Sequence, residues 1–307
     1  MASAGFTNPY FTNERPPQQG GYATPLAPQQ GGYTTPLAPQ PPQFAPTTPG
    51  QQAHLEGMYA APSAGTPQTG RMTYEDTIVK TVILFAVMLA TGALSWVLTL
   101  GGSLSPETAT SFNLIPTIIG AIGTFVISLV IAFRKQSPVA LTFAYAIAEG
   151  LFVGGISAFF ELLYPGIIIQ AALASIAVIG TTLALFASGK IRASAKMTKI
   201  VMIAMIGYAV FSLLNVGLMA FGVLPEGMAF GLRSMTIAGI PLGLILGVVV
   251  VLMGAYMLVM DFDAVQRGVR NGAPAKLAWT AAYGILSTVV FIYIEILRLL
   301  AIFRGND

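Results

Sequence analysis

Seven stretches of about twenty mostly apolar residues follow one another along the chain, each closed by glycine, proline or a cluster of charges. About twenty residues of helix cross the ~30 Å hydrocarbon core of a bilayer, so each stretch predicts one membrane span. The stretches run 81–100, 114–133, 139–160, 167–186, 200–221, 237–260 and 279–302. Their breaks are Gly101-Gly102, Arg134-Lys135, Tyr164-Pro165-Gly166, residues 190–199, Pro225-Glu226-Gly227 and residues 261–276. The pattern predicts an all-α membrane protein, a seven-transmembrane-helix bundle occupying residues 73–307.

Residues 1–72 show no such periodicity. They hold most of the proline and glutamine of the chain, few branched aliphatics, and an 11-residue repeat: 18–28 reads QQGGYATPLAP and 29–39 reads QQGGYTTPLAP. Such a segment buries too little apolar surface to offset its ordering entropy, which predicts a disordered Pro/Gln/Gly-rich N-terminal tail. It lacks the apolar core of a signal peptide. Tyr22 and Tyr33 recur at the repeat spacing and are candidate contacts for a membrane-protein partner reached through the tail or for each other, the alternative being an inert extension.

Composition sharpens the membrane reading: 55% of the residues are hydrophobic and 9% are charged, against about 25% charged in a soluble domain. The chain has no cysteine, and its single histidine, His54, lies in the tail. Disulfides, thiolate chemistry and histidine-based catalysis within the membrane are thereby excluded. The net charge of +3 is not a nucleic-acid footprint, because the basic residues flank apolar runs. Arg71, Lys80, Arg134, Lys135, Lys190, Arg192, Lys196, Lys199, Arg267, Arg270 and Lys276 fall on the N-terminal side of the bundle. Arg233, Arg298 and Arg304 fall on the other. Eleven against three predicts a cytoplasmic N-terminus and, with seven spans, a C-terminus outside. The outer connections carry Glu107, Glu161 and Glu226, acids that would gather cations at a mouth or simply stand solvated.

Small residues let helices approach in lipid. Gly239, Gly243 and Gly247 recur every four residues in the sixth span, and Gly150 and Gly154 do so in the third; both sets predict packing faces. Pro241, early in the sixth span, predicts a kink.

Ionisable groups at membrane depth are costly, and each is a functional candidate. Glu149 lies ten residues into the third span, ~15 Å deep, where desolvation favours its neutral form. Asp261 and Asp263 close the sixth span; at ~200° apart on a helix, at most one faces the bundle. Glu295 and Arg298 lie one turn apart near the outer end of the seventh span and are placed to pair.

The C-terminal third carries a recognisable set: Asp261-Phe262-Asp263, residues 268–274 (GVRNGAP), Ala278-Trp279, Ala282-Tyr283-Gly284 and residues 293–300 (YIEILRLL), with Glu149-Gly150-Leu151 upstream. Over residues 75–304 the chain resembles the Bax inhibitor family of seven-span proteins, in particular its bacterial branch with long N-terminal tails. The resemblance implies a pH-sensitive calcium leak in the bacterial plasma membrane, gated by two aspartates. One follows phenylalanine at the end of the sixth span, which assigns that role to Asp263; the other falls at the position of Thr288. Glu149, at the depth of Thr288, is then the expected second acid, facing Asp263 or Thr288. Two carboxyls in contact share a proton and repel once both ionise.

Two functions follow from this reading: a leak for calcium, with calcium or protons as permeant or regulating ions, and a non-conducting regulator that binds other membrane proteins, such as a membrane protease. No catalytic motif of a hydrolase, metalloprotease or intramembrane aspartyl protease occurs, so no enzyme is expected. Nor is a cofactor, beyond calcium as a transported ion.

Overall fold

The computed structural model describes residues 9–11, 70–109, 111–134, 137–225, 228 and 230–305. The repeats with Tyr22 and Tyr33, and also His54, Lys135 and Glu226, lie outside the described residues. Seven helices are long and apolar enough to cross a membrane. They are α1 (Tyr74–Thr99), α2 (Ile115–Ala132), α3 (Val139–Leu163), α4 (Ile167–Ala187), α5 (Ala195–Ala220), α6 (Leu242–Arg270) and α7 (Leu277–Arg304). Their outward faces hold large apolar residues, such as Ile115, Leu213 and Leu252, each about three-fifths exposed or more. In a soluble protein that surface would be a liability; against lipid tails it is the required one. The chain is a multi-pass membrane protein.

Local chemistry sets the helix starts. Thr73 accepts a hydrogen bond from the Asp76 amide (3.1 Å), and Glu75 and Asp76 complement the positive end of α1. Ser194 caps α5 in the same way through the Met197 amide. Glu161 caps α4 from the preceding helix, accepting from the Gly166 amide (2.6 Å) and the Ile168 amide (3.1 Å). Gly166 itself adopts φ 81°, a backbone state open to glycine at little cost.

The central helix is α7, which packs on α1, α3, α4 and α6. At the opposite extreme α5 buries only Val201, Met205 and Asn215, and side-chain hydrogen bonds hold it to the bundle. The Tyr256 hydroxyl joins Ser194 and Thr198 near one end. Asn215 joins the Phe230 carbonyl and Leu232 amide near the other.

Glycines set the two closest helix pairings. Gly150 and Gly154 of α3 lie against α1, where a Cβ on Gly154 would sit 2.0 Å from the Gly92 carbonyl oxygen. Gly120 of α2 lies against the backbone of α3, where a Cβ would sit 2.4 Å from the Phe152 nitrogen and 2.8 Å from the Ala148 oxygen.

The start of α6 differs from the expectation. Gly239 is not on a helix: with Ala238 (φ 52°) and its own φ of 82°, it turns a short hairpin of β1 (Thr236–Ile237) and β2 (Ile240–Pro241). Pro241 therefore precedes the first helical residue and kinks nothing. The apolar run hid a turn because hydropathy does not register positive φ. The glycine line that does face α7 is Gly243, Gly247 and Gly254, set against Ile302, Leu299 and Ile292. At its other end α6 continues to Arg270, so Asp261 and Asp263 lie within the helix, two to three turns before its end.

Candidate functional site

The antiparallel pairing of α6 with α7 positions the site. Gly243 meets Ile302, Gly247 meets Leu299 and Gly254 meets Ile292. As α6 advances, α7 recedes, and the same register brings Asp261 to Thr288. There the threonine hydroxyl donates a 2.6 Å hydrogen bond to Asp261 Oδ2. Both residues are buried, at 2% and 1% exposure.

Asp263 is turned ~200° from Asp261 on the helix. It does not face Thr288 or Glu149. It forms an ion pair with Arg267 one turn on, and the Arg267 Nε also donates to the Phe11 carbonyl (2.8 Å). The buried partner of the Thr288 position is thus Asp261, not Asp263. Periodicity limited the inward-facing acid to one of the two; choosing between them requires the α6–α7 register.

Glu149 is buried on α3 at 5% exposure. The hydroxyls of Tyr145, one turn earlier, and Thr124 of α2 lie beside it. Its Oε2 has no hydrogen-bond partner among the described residues. Tyr145 packs edge-on against Tyr283 of α7, with ring centroids 4.6 Å apart. Tyr283 in turn lies within electrostatic reach of both Glu149 and Asp261.

Counted along their helices from the end where lysine and arginine accumulate, Asp261, Glu149 and Thr288 all stand ~14–17 Å deep. Thr124, Tyr145 and Tyr283 stand ~9–12 Å deep. Four helices thus contribute to one polar layer in an apolar bundle. Asp261 and Glu149 are its acids, Tyr283 lies near both, and Thr288 bonds to one of them. Such a layer can bind, share or pass protons, and it joins helices through groups whose charge can change. Among the described residues, no three histidine, cysteine, aspartate or glutamate side chains converge on a metal site.

Thr124, Tyr145 and Tyr283 were not among the expected site residues. Their signals were the i, i+4 spacing of Tyr145 and Glu149, which places both on one helix face, and the place of Tyr283 in the Ala282-Tyr283-Gly284 motif.

A second polar cluster lies toward the opposite end. Glu295 pairs with Arg298, and both Glu295 oxygens accept from the Tyr208 hydroxyl of α5 (2.8 and 2.9 Å). Arg298 also donates to Tyr208. Arg233, 5% exposed, donates to Ser212 (2.7 Å) and stands over the rings of Tyr208 and Phe211. This cluster attaches the otherwise peripheral α5 to α7.

A seven-helix membrane bundle, with a buried layer of acids and hydroxyls where its last two helices meet, is the class of protein that this fold and site define. The chain belongs to the Bax inhibitor 1 like family, whose family model matches residues 8–305. The match begins well before residue 75 and takes in Pro9–Phe11. Comparison with curated proteins and with solved structures finds no match.

Proposed function

We propose that the protein is a pH-sensitive cation leak that passes calcium, with its gate where α3 meets the α6–α7 pair and with Asp261 and Glu149 as the proton-binding groups. The observation that carries this reading is the buried Thr288–Asp261 hydrogen bond, in the same layer as Glu149. Threonine does not titrate, and its hydroxyl can donate to aspartate in either protonation state. Repulsion between two aspartates therefore has no counterpart between these two residues. The pair in which such repulsion can arise is Asp261 and Glu149, both near Tyr283 in a low-dielectric interior where like charges interact strongly. Ionising both would separate α3 from the α6–α7 pair, and protonating either would let them close. Thr124, Tyr145, Tyr283 and Thr288 are among the described groups beside these two acids.

In this reading the lysine- and arginine-rich end is cytoplasmic, the membrane is the plasma membrane of a bacterium, and Asp261 takes the part that the Phe-Asp motif assigned to Asp263. The test is calcium uptake by liposomes holding the purified full-length chain. Uptake above that of protein-free liposomes, altered by Asp261→Asn, supports the leak. No uptake with the tail present or deleted would favour a non-conducting regulator of other membrane proteins. One observation speaks for that second reading: the start of the tail makes a defined contact with the bundle.

A further inference from the structure

Residues 9–11 form a single 3-10 turn seated on the basic end of the bundle. Phe11 is 1% exposed, and its ring lies over Gly268 so closely that a Cβ there would meet the ring edge at 2.6 Å. Met72, Ala264, Val265, Ala273, Leu277 and Ala278 complete the apolar cluster around it. Polar contacts from Arg267 of α6 and from Asn271, its C-cap residue, reach the turn. The Arg267 Nε donates to the Phe11 carbonyl (2.8 Å), and the Asn271 side-chain Nδ2 donates to the Tyr10 carbonyl (2.9 Å). The floor is built from separate pieces of chain, because Met72 and Gly70 bond to Ala273 and Ala275 of the α6–α7 connection. Both hydrogen bonds read backbone carbonyls, while the pocket reads an aromatic side chain. This is how a binding groove recognises a short peptide. The turn is connected to Gly70 by residues 12–69.

We propose that this groove is a ligand site for a proline–aromatic turn, that residues 9–11 of the same chain are its ligand, and that the ligand exchanges. Exchange couples the tail to the helix of the polar layer. Arg267 is shared between Asp263 and the Phe11 carbonyl, and Gly268 lies about two turns beyond Asp261 on α6. With the turn seated, the end of α6 is held from both sides. With it released, Arg267 loses the Phe11 carbonyl and keeps Asp263 among the described residues, and an aromatic-sized pocket opens at the α6–α7 connection. A protein that engages the tail would thereby act on α6 without touching the membrane part.

The chain has no cysteine, which makes the test direct. A single Ala273→Cys, at a site with 0% exposure beside Phe11, reports the groove through its rate of reaction with a membrane-impermeant maleimide. The full chain should react slowly. Deleting residues 1–12, or Phe11→Ala, should raise the rate at least tenfold, and a synthetic peptide of residues 6–13 should restore protection. The same peptide with Tyr10→Ala and Phe11→Ala should not. Labelling unaffected by the deletion would overturn the groove assignment. Exposure that the peptide cannot reverse would overturn exchange and leave the turn a fixed part of the fold. Protection that rises with protein concentration in the full chain would make the occupant a second copy and overturn the assignment in cis. None of these readouts depends on ion flux, so the groove and the leak stand or fall separately.

Discussion

The hydroxyl of Thr288 and the carboxylate of Asp261 meet at 2.6 Å inside the bundle, with no water-facing surface on either residue to speak of. This contact ties α6 to α7 at the level where Glu149 enters from α3. Removing the hydroxyl while keeping the shape, as Thr288→Val does, leaves a buried carboxyl one partner short. A buried polar group left without its partner costs about 1–3 kcal/mol. The variant should therefore melt earlier than wild type in detergent, whereas Thr288→Ser should melt close to it. Equal melting of all three would show that the bond carries little.

Asp261 and Asp263 are two residues apart and should behave differently. Asp263 is part of a partly exposed ion pair with Arg267, and pairs of that kind contribute about 0–1 kcal/mol. Asp263→Asn should leave the melting temperature nearly unchanged. Asp261→Leu, which fills the same buried position without an acceptor, should destabilise by leaving Thr288 unpaired. Thermal unfolding of the two variants side by side checks the assignment of the inward-facing acid.

The glycine contacts give a steric prediction. Gly154→Ala places a methyl group 2.0 Å from a backbone oxygen of α1, whereas Gly207→Ala and Gly217→Ala on α5 meet nothing within 4 Å. The first requires α1 and α3 to separate, and overpacking of this kind costs about 1–3 kcal/mol or more. The other two should express and melt as wild type does. Monodispersity and thermal stability in detergent distinguish them.

The spans were readable because hydropathy is a one-dimensional property and lipid imposes it on every crossing helix. The same reading failed at Gly239 and Pro241, where two positive φ values build a hairpin from residues that are apolar by composition. Which of the two aspartates meets Thr288 was not legible, for a different cause. Asp261 and Asp263 are equivalent in sequence, and only the glycine register of α6 against α7 turns one of them inward. Tyr145 and Tyr283 count as apolar in a hydropathy window, so the hydroxyls of the polar layer left no trace there. Phe11 is a lone aromatic in a low-complexity stretch, and its pocket is assembled from residues more than sixty positions away.

Tyr208 offers a test of how α5 is held. Its hydroxyl serves both Glu295 and Arg298, and α5 buries only Val201, Met205 and Asn215. Tyr208→Phe should speed amide exchange across α5 and leave that of α7 largely unchanged, since α7 is anchored on four other helices. Uniform exchange in both helices would mean that the cluster does not attach α5.

The central claim, that Asp261 and Glu149 set the pH dependence of a calcium leak, is tested most directly by calcium influx into proteoliposomes across a pH series. The series compares wild type with Asp261→Asn, Glu149→Gln and Asp263→Asn. The account predicts influx that varies with pH in wild type and in Asp263→Asn, and influx flattened with respect to pH in Asp261→Asn and Glu149→Gln. A pH profile that is the same in all four proteins would contradict it.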